Sequence, residues 1–102
     1  METTSSELLH SSDFEPYLNQ VFQIRFTVEI TLPAELINVT EIPGYTTVDR
    51  KPFSILFRTA QKTEYFRQSV CILQHPVKGE VPVFLVPLGL DEEGMRYEAV
   101  FS

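Results

Sequence analysis

The sequence predicts a small all-β protein, an antiparallel barrel or sandwich of about six strands with one or two short helical turns. Three observations carry this. Residues 22–32 alternate strictly between apolar and polar side chains, the period of a half-buried strand. Further short β-like runs follow at close spacing, separated by turns rich in Pro and Gly, with no helix of βαβ length between any two of them. The chain has 102 residues, 43% of them hydrophobic. A chain this short buries only ~60–70% of its unfolded surface, so its eight Phe and many Val, Ile and Leu must share one core.

Taken in order, residues 1–12 are polar and rich in Ser and Thr, which predicts a flexible tail ahead of a single β-domain over 13–102. Ser12 or Asp13 can cap a short helical turn that directs Phe14, Tyr17 and Leu18 inward and plugs one end of the fold. In the first strand Phe22, Ile24, Phe26, Val28, Ile30 and Leu32 share one face. Eleven residues would extend roughly 35 Å, about twice the usual strand, so this strand must bend around the core, as in a barrel. Pro33-Ala34-Glu35 reads as a turn or bulge, and Leu36–Ile42 as a second strand. After the irregular stretch Pro43–Pro52, Phe53, Ile55 and Phe57 alternate as a third strand.

Thr63 then reads as the N-cap of one or two helical turns over Glu64–Gln68. Val70–Gln74 is a fourth strand, Pro76–Glu80 a hairpin turn, and Val81–Leu88 a fifth strand that is apolar on both faces. Its prolines, Pro82 and Pro87, stand five apart and would interrupt ladders on opposite sides, so one or both must sit at a strand end or bulge. The turn Asp91–Gly94, with Gly94 expected at positive φ, leads to a last strand, Arg96–Phe101, with Tyr97, Ala99 and Phe101 on one face. A filled interior would be built from Phe22, Phe26, Phe53, Phe57, Phe84 and Phe101.

Composition and motif spacing exclude several classes. The most apolar run, 81–90, is broken by Pro82, Pro87 and Gly89, far short of a spanning helix, and the N-terminal residues have no signal-peptide pattern. A cytoplasmic protein is expected. One cysteine, Cys71, makes no internal disulfide, and two histidines without paired spacing make no zinc motif. Cys71 and His75 share a strand face but stand roughly 13 Å apart, too far for a thiolate–imidazole couple. Asp91, Glu92 and Glu93 read as solvated turn residues, and neither a phosphate-binding loop nor a nucleophile elbow is present. No catalytic, metal or cofactor site is therefore expected, and the protein is not expected to be an enzyme.

The net charge of −6 is unevenly distributed. Residues 1–45 hold seven acids and one base, 46–78 hold two acids and six bases, and 79–102 hold five acids and one base. These give −6, +4 and −4. Overall acidity argues against nucleic acid. The basic middle, with its tyrosines, has the composition of a protein interface, and Tyr45, Arg50, Lys51, Arg58, Lys62, Tyr65 and Arg67 are its candidate partner-binding residues.

The stretches Lys51–Phe57, Leu73–Pro76, Val83–Gly89 and the terminal Tyr97-Glu98-Ala99-Val100-Phe101 resemble the small bacterial proteins grouped as domain of unknown function family 6916. The resemblance runs from about Phe14 to the C-terminus. It implies the same β-fold, brings no assigned activity or catalytic residue, and hints at an accessory or assembly role in a phage-tail-like or surface-appendage system. The leading expectation is a non-catalytic module that binds a protein partner or itself, and the second a small-ligand-binding barrel whose mouth is lined by Phe and Tyr.

Overall fold

The structure, a computed structural model, describes residues 9–43 and 51–101. Along the chain the strands are β1 (Val21–Arg25), β2 (Thr31–Glu41), β3 (Phe53–Thr59), β4 (Ser69–His75), β5 (Gly79–Leu90) and β6 (Met95–Phe101). All pair antiparallel and close into a barrel in the order β1-β2-β3-β6-β5-β4. Closure explains the burial pattern. Alternate residues point inward, so Phe53, Ile55 and Phe57 of β3 meet Tyr97, Ala99 and Phe101 of β6 within one core, completed by Cys71, Leu73, Val81, Val83 and Leu85.

Both ends of the barrel are filled. At one end two short 3₁₀ turns, Ser11–Asp13 and Glu15–Tyr17, form a plug that inserts Phe14 against Phe22, Phe53 and Phe101 at ring separations of 6.4, 6.0 and 6.0 Å. Asp13 accepts from the His10 N–H (2.8 Å), closing the first turn as a cap should. At the other end Phe66 stacks on Phe26 (4.8 Å), and Phe26 leans on Tyr97 (5.1 Å).

The uninterrupted strand expected over 22–32 is a hairpin. β1 ends at Arg25, which pairs with Thr31 of β2. The Thr27 hydroxyl accepts from the N–H groups of Glu29 (3.2 Å) and Ile30 (3.0 Å), a side-chain turn built without Gly, Pro or Asn. Val28, expected on the inner face, stands at the tip and is 95% exposed. Pro33, expected in a turn, lies within β2 opposite Gln23, ahead of Glu35 where pairing with β3 begins. A nitrogen turned to that unpaired side forfeits no ladder bond.

The same logic resolves the two prolines of β5. Residues 79–85 pair with β4 and 86–90 pair with β6, so β5 changes partner midway. Pro82 sits in the first half, and Pro87 sits at a register shift before Gly89, whose φ of +116° belongs to the bulge. Burial falls on Val81, Val83 and Leu85, so Phe84, expected inside, faces outward and is 52% exposed.

Four further expectations change. The helical turns over 63–68 do not form: the Phe66 N–H, which a helix would bond to a carbonyl a turn earlier, donates instead to the Tyr97 hydroxyl (3.0 Å). So short a helix has little stability of its own, and the tertiary bond prevails. Leu18, expected inward, is exposed because the 3₁₀ turn ends at Tyr17. Of the expected tail, residues 9–12 are described, and Leu9 is fully buried in the core. Gly94 does not have positive φ, which among the described glycines occurs at Gly79 and Gly89. Its requirement is close approach, since a Cβ there would overlap the Thr59 carbonyl oxygen.

Two stability predictions follow from these positions. Phe14→Ala, emptying a fully buried ring site, should cost ~3–5 kcal/mol in urea unfolding, whereas Phe84→Ala on the outer face should cost less than about 1 kcal/mol. Equal costs would contradict the assignment of inner and outer faces. Gly94→Ala should cost about 2 kcal/mol or more, because the Thr59 carbonyl belongs to β3 and cannot move aside without disturbing the β3–β6 ladder.

Candidate functional site

Among the described residues, the candidate partner-binding side chains do not all gather into one patch. Tyr45 and Arg50 lie outside the described residues. Lys51 precedes β3, whereas Lys62, Tyr65 and Arg67 follow it, so they stand toward opposite ends of the barrel. Arg58 is committed within the fold: its Nε and Nη2 donate to Asp91 Oδ2 (2.8 and 2.6 Å), and Nη1 approaches Glu93 (3.2 Å) and Glu35 (4.0 Å). Lys62 Nζ donates to the Glu93 carbonyl (2.9 Å). The basic middle of the chain thus folds onto its acidic neighbours. Tyr65 and Arg67 remain exposed, and Tyr65 lines a shallow cleft with Pro87, Leu88 and Met95.

The Arg58–Asp91 contact has a structural cause. Arg58 lies directly opposite Arg96 in the β3–β6 ladder, a like-charge pair that would be unfavourable alone. Three carboxylates around Arg58 offset it. Asp91 also orders its own turn, Oδ1 accepting from the N–H groups of Glu93 (2.8 Å) and Gly94 (2.9 Å). The Arg58 guanidinium and these backbone donors hold the Asp91 carboxyl down at about 2. Asp91 is thus engaged at once in an ion pair and in the hydrogen bonds of its own turn.

Cys71 and His75 share the inner face of β4 but serve different ends. Cys71 is buried beside Ser69, and burial pushes its thiol up, away from the thiolate a nucleophile needs. His75 is a latch. Its Nδ1 faces the N–H groups of Val77 and Lys78 (3.1 Å each), which can only donate, so Nε2 carries the proton and donates to the Asp13 carbonyl (2.6 Å). One imidazole therefore ties the β4–β5 turn to the plug. Among the described residues, no three of His, Cys, Asp and Glu come together as a metal site would require.

Two surfaces escaped the sequence reading. On the outside of β4 and β5, Val70 and Phe84 are direct cross-strand partners, 62% and 52% exposed, and Ile72 pairs with Pro82 beside them. Their common outward parity follows from the inward placement of Cys71 and Val83, a signal available in the sequence once the strand faces are assigned. Beside the plug is a cleft of about 310 Å³ lined by Tyr17, Gln20, Phe22, Gln23, Gln74 and His75, among others. Those residues come from three elements, so no spacing announces them. Where a ligand mouth was expected, Phe53 stacks on Phe101 at 4.6 Å and Phe22 meets Phe57 at 5.6 Å.

Because Asp91 is depressed in the fold, its contribution is fully present above the unfolded carboxyl pKa of ~3.9. It fades as pH falls toward about 2. The stability difference between the wild type and Asp91→Asn should therefore be level from pH 7 down to about 5, shrink below that and be mostly lost by about pH 2, measured by urea midpoints across pH. A difference that does not change over that range would refute the ion pair.

Among the described residues, no helix is long and apolar enough to cross a membrane. No curated protein and no solved structure matches the chain. The family model described as Domain of unknown function (DUF6916) matches residues 9–101, from the buried Leu9 of the plug to the last residue of β6. A chain matched over plug and barrel together belongs to the DUF6916 family.

Proposed function

We propose that the protein is a non-catalytic interaction module that associates with a second copy of itself through the outer face of β4 and β5. The observation that carries this is the exposed cross-strand pair Val70–Phe84, continued by Ile72, Pro82 and Val86 without a charged side chain among them. An apolar face of this kind on a small domain is a recognised mark of an interface. The choice of a second copy rests on charge. Copies carrying a net charge of −6 repel one another, and this strip carries no carboxylate of its own, its charged neighbours being Arg25 beside Ile72 and Glu98 beside Val86. The alternative electrostatic interface in the basic segment loses Arg58 and Lys62 to internal partners. Self-association through a sheet face suits an accessory or assembly part of a phage-tail-like or surface-appendage system, in which copies stack.

Sedimentation velocity from ~1 µM to ~1 mM should show a reversible dimer. Its strength should hold or rise as salt is raised from ~0.05 to ~1 M, because apolar burial, unlike ion pairing, is not screened. The double variant Val70→Asp, Phe84→Asp should stay monomeric with an unchanged far-UV spectrum. A wild type that stays monomeric at ~1 mM overturns the proposal. So does a dimer that salt dissolves, which would place the contact at Tyr65 and Arg67.

A further inference from the structure

We infer that the cleft beside the N-terminal plug is a binding subsite for a neutral saccharide. Its floor is aromatic: Tyr17 meets Phe22 and His75 edge-on at 6.1 and 5.3 Å, with Phe22 and His75 almost wholly buried beneath. Its rim is made of amides. Gln23 of β1 and Gln74 of β4 are direct cross-strand partners, and Gln20 closes the side next to the plug. Among the described residues, the Gln20 and Gln23 side chains have no hydrogen-bond partner. Gln74 spends one N–H weakly on Glu80 (3.4 Å), which leaves its carbonyl oxygen for a ligand.

The chemistry of the ligand follows from what lines the cleft. No Lys, Arg, Asp or Glu does, so neither a phosphate nor a carboxylate would find a counter-charge. His75 offers no free ring nitrogen, because both are occupied within the fold. What remains is the half-buried Tyr17 ring edged by amides that both donate and accept. A pyranose presents the matching pair, a C–H face and a fringe of hydroxyls that also donate and accept. At about 310 Å³ the cleft is at the lower end of small-ligand sites, room for one or two sugar rings.

The geometry is preset. Tyr17 N–H donates to the Phe14 carbonyl (2.8 Å) and Gln20 N–H to the Tyr17 carbonyl (3.0 Å), while Asn19, at a φ of 71°, turns the chain from the plug into β1. Asn tolerates that left-handed conformation better than most residues. The same His75 latch that seats the plug therefore seats Tyr17 beside the glutamines.

The test is a titration of the ¹⁵N-labelled full chain with maltotriose, cellotriose and triacetylchitotriose, with trigalacturonate as the acidic control. At least one neutral trisaccharide should give saturable shifts at Gln20–Gln23 and Gln74–Val77, and trigalacturonate none. The double variant Gln23→Ala, Gln74→Ala, altered on the outer strand faces, should keep a dispersed spectrum and lose about tenfold or more in affinity. Tyr17→Phe, which keeps the ring, should fold normally and retain most of the affinity. No saturable shift with any neutral probe up to ~20 mM overturns the inference, as does binding that survives the double variant or prefers the acidic trisaccharide.

Discussion

The contact on which this barrel depends is the insertion of Phe14 between the ends of β1, β3 and β6. A six-stranded barrel encloses a narrow interior that must be filled by side chains. Here the strands supply Phe22, Phe53, Phe57 and Phe101, and the last ring comes from outside the sheet. His75 turns that packing into a specific attachment. It touches the Phe14 ring edge-on at 5.4 Å, bonds the Asp13 carbonyl, and accepts the two N–H groups of the β4–β5 turn. Plug, hairpin and core are therefore tied into one unit, and the family match likewise spans plug and barrel.

The opposite end is closed by different means. Residues 60–68 carry no regular structure, yet they are held by a short polar chain: Phe66 N–H to the Tyr97 hydroxyl, the Tyr97 hydroxyl to Gln61 (2.7 Å), and the Thr59 hydroxyl to Gln61 (2.8 Å). Burial pushes the Tyr97 hydroxyl up, so it stays a neutral donor and acceptor at any ordinary pH. With Phe66 turned in by this bond, its neighbour Tyr65 is left outside. The strap thereby fills the barrel and presents an aromatic ring with the same few residues.

Legibility in the sequence followed how local each cause was. The inner faces of β3 and β6 were readable because their alternation reflects burial against one core and nothing interrupts it. Alternation over 22–32 misled for a definite reason: Phe26 and Ile30 bond across the hairpin (2.9 Å), so inward parity survives the turn, and a threonine hydroxyl makes that turn without a glycine or proline to mark it. Phe84 was misplaced because β5 is apolar on both faces, and composition cannot say which side is inside. The cleft of Tyr17 and the glutamines was invisible because Gln23 and Gln74 meet through β1–β4 pairing, 51 residues apart in sequence.

The linear charge map shows the same limit in electrostatic form. Its basic middle stood out as a patch, but antiparallel pairing laid Arg58 beside Glu35 on one side and brought the Asp91–Glu93 turn over it from the other. Lys78 likewise reaches Asp13 across the plug (3.7 Å). Segments of opposite sign, separated along the chain, were brought together by the topology, and exposed pairs of this kind add little stability individually. Their effect is on what is left over. With Arg58, Lys62 and Lys78 drawn to internal partners, two surfaces that carry no charged residue of their own are the apolar strip of β4 and β5 and the amide-rimmed cleft beside the plug. On those two surfaces the groups on offer are apolar area and neutral hydrogen-bonding amides, and a net charge of −6 disfavours the approach of acidic molecules.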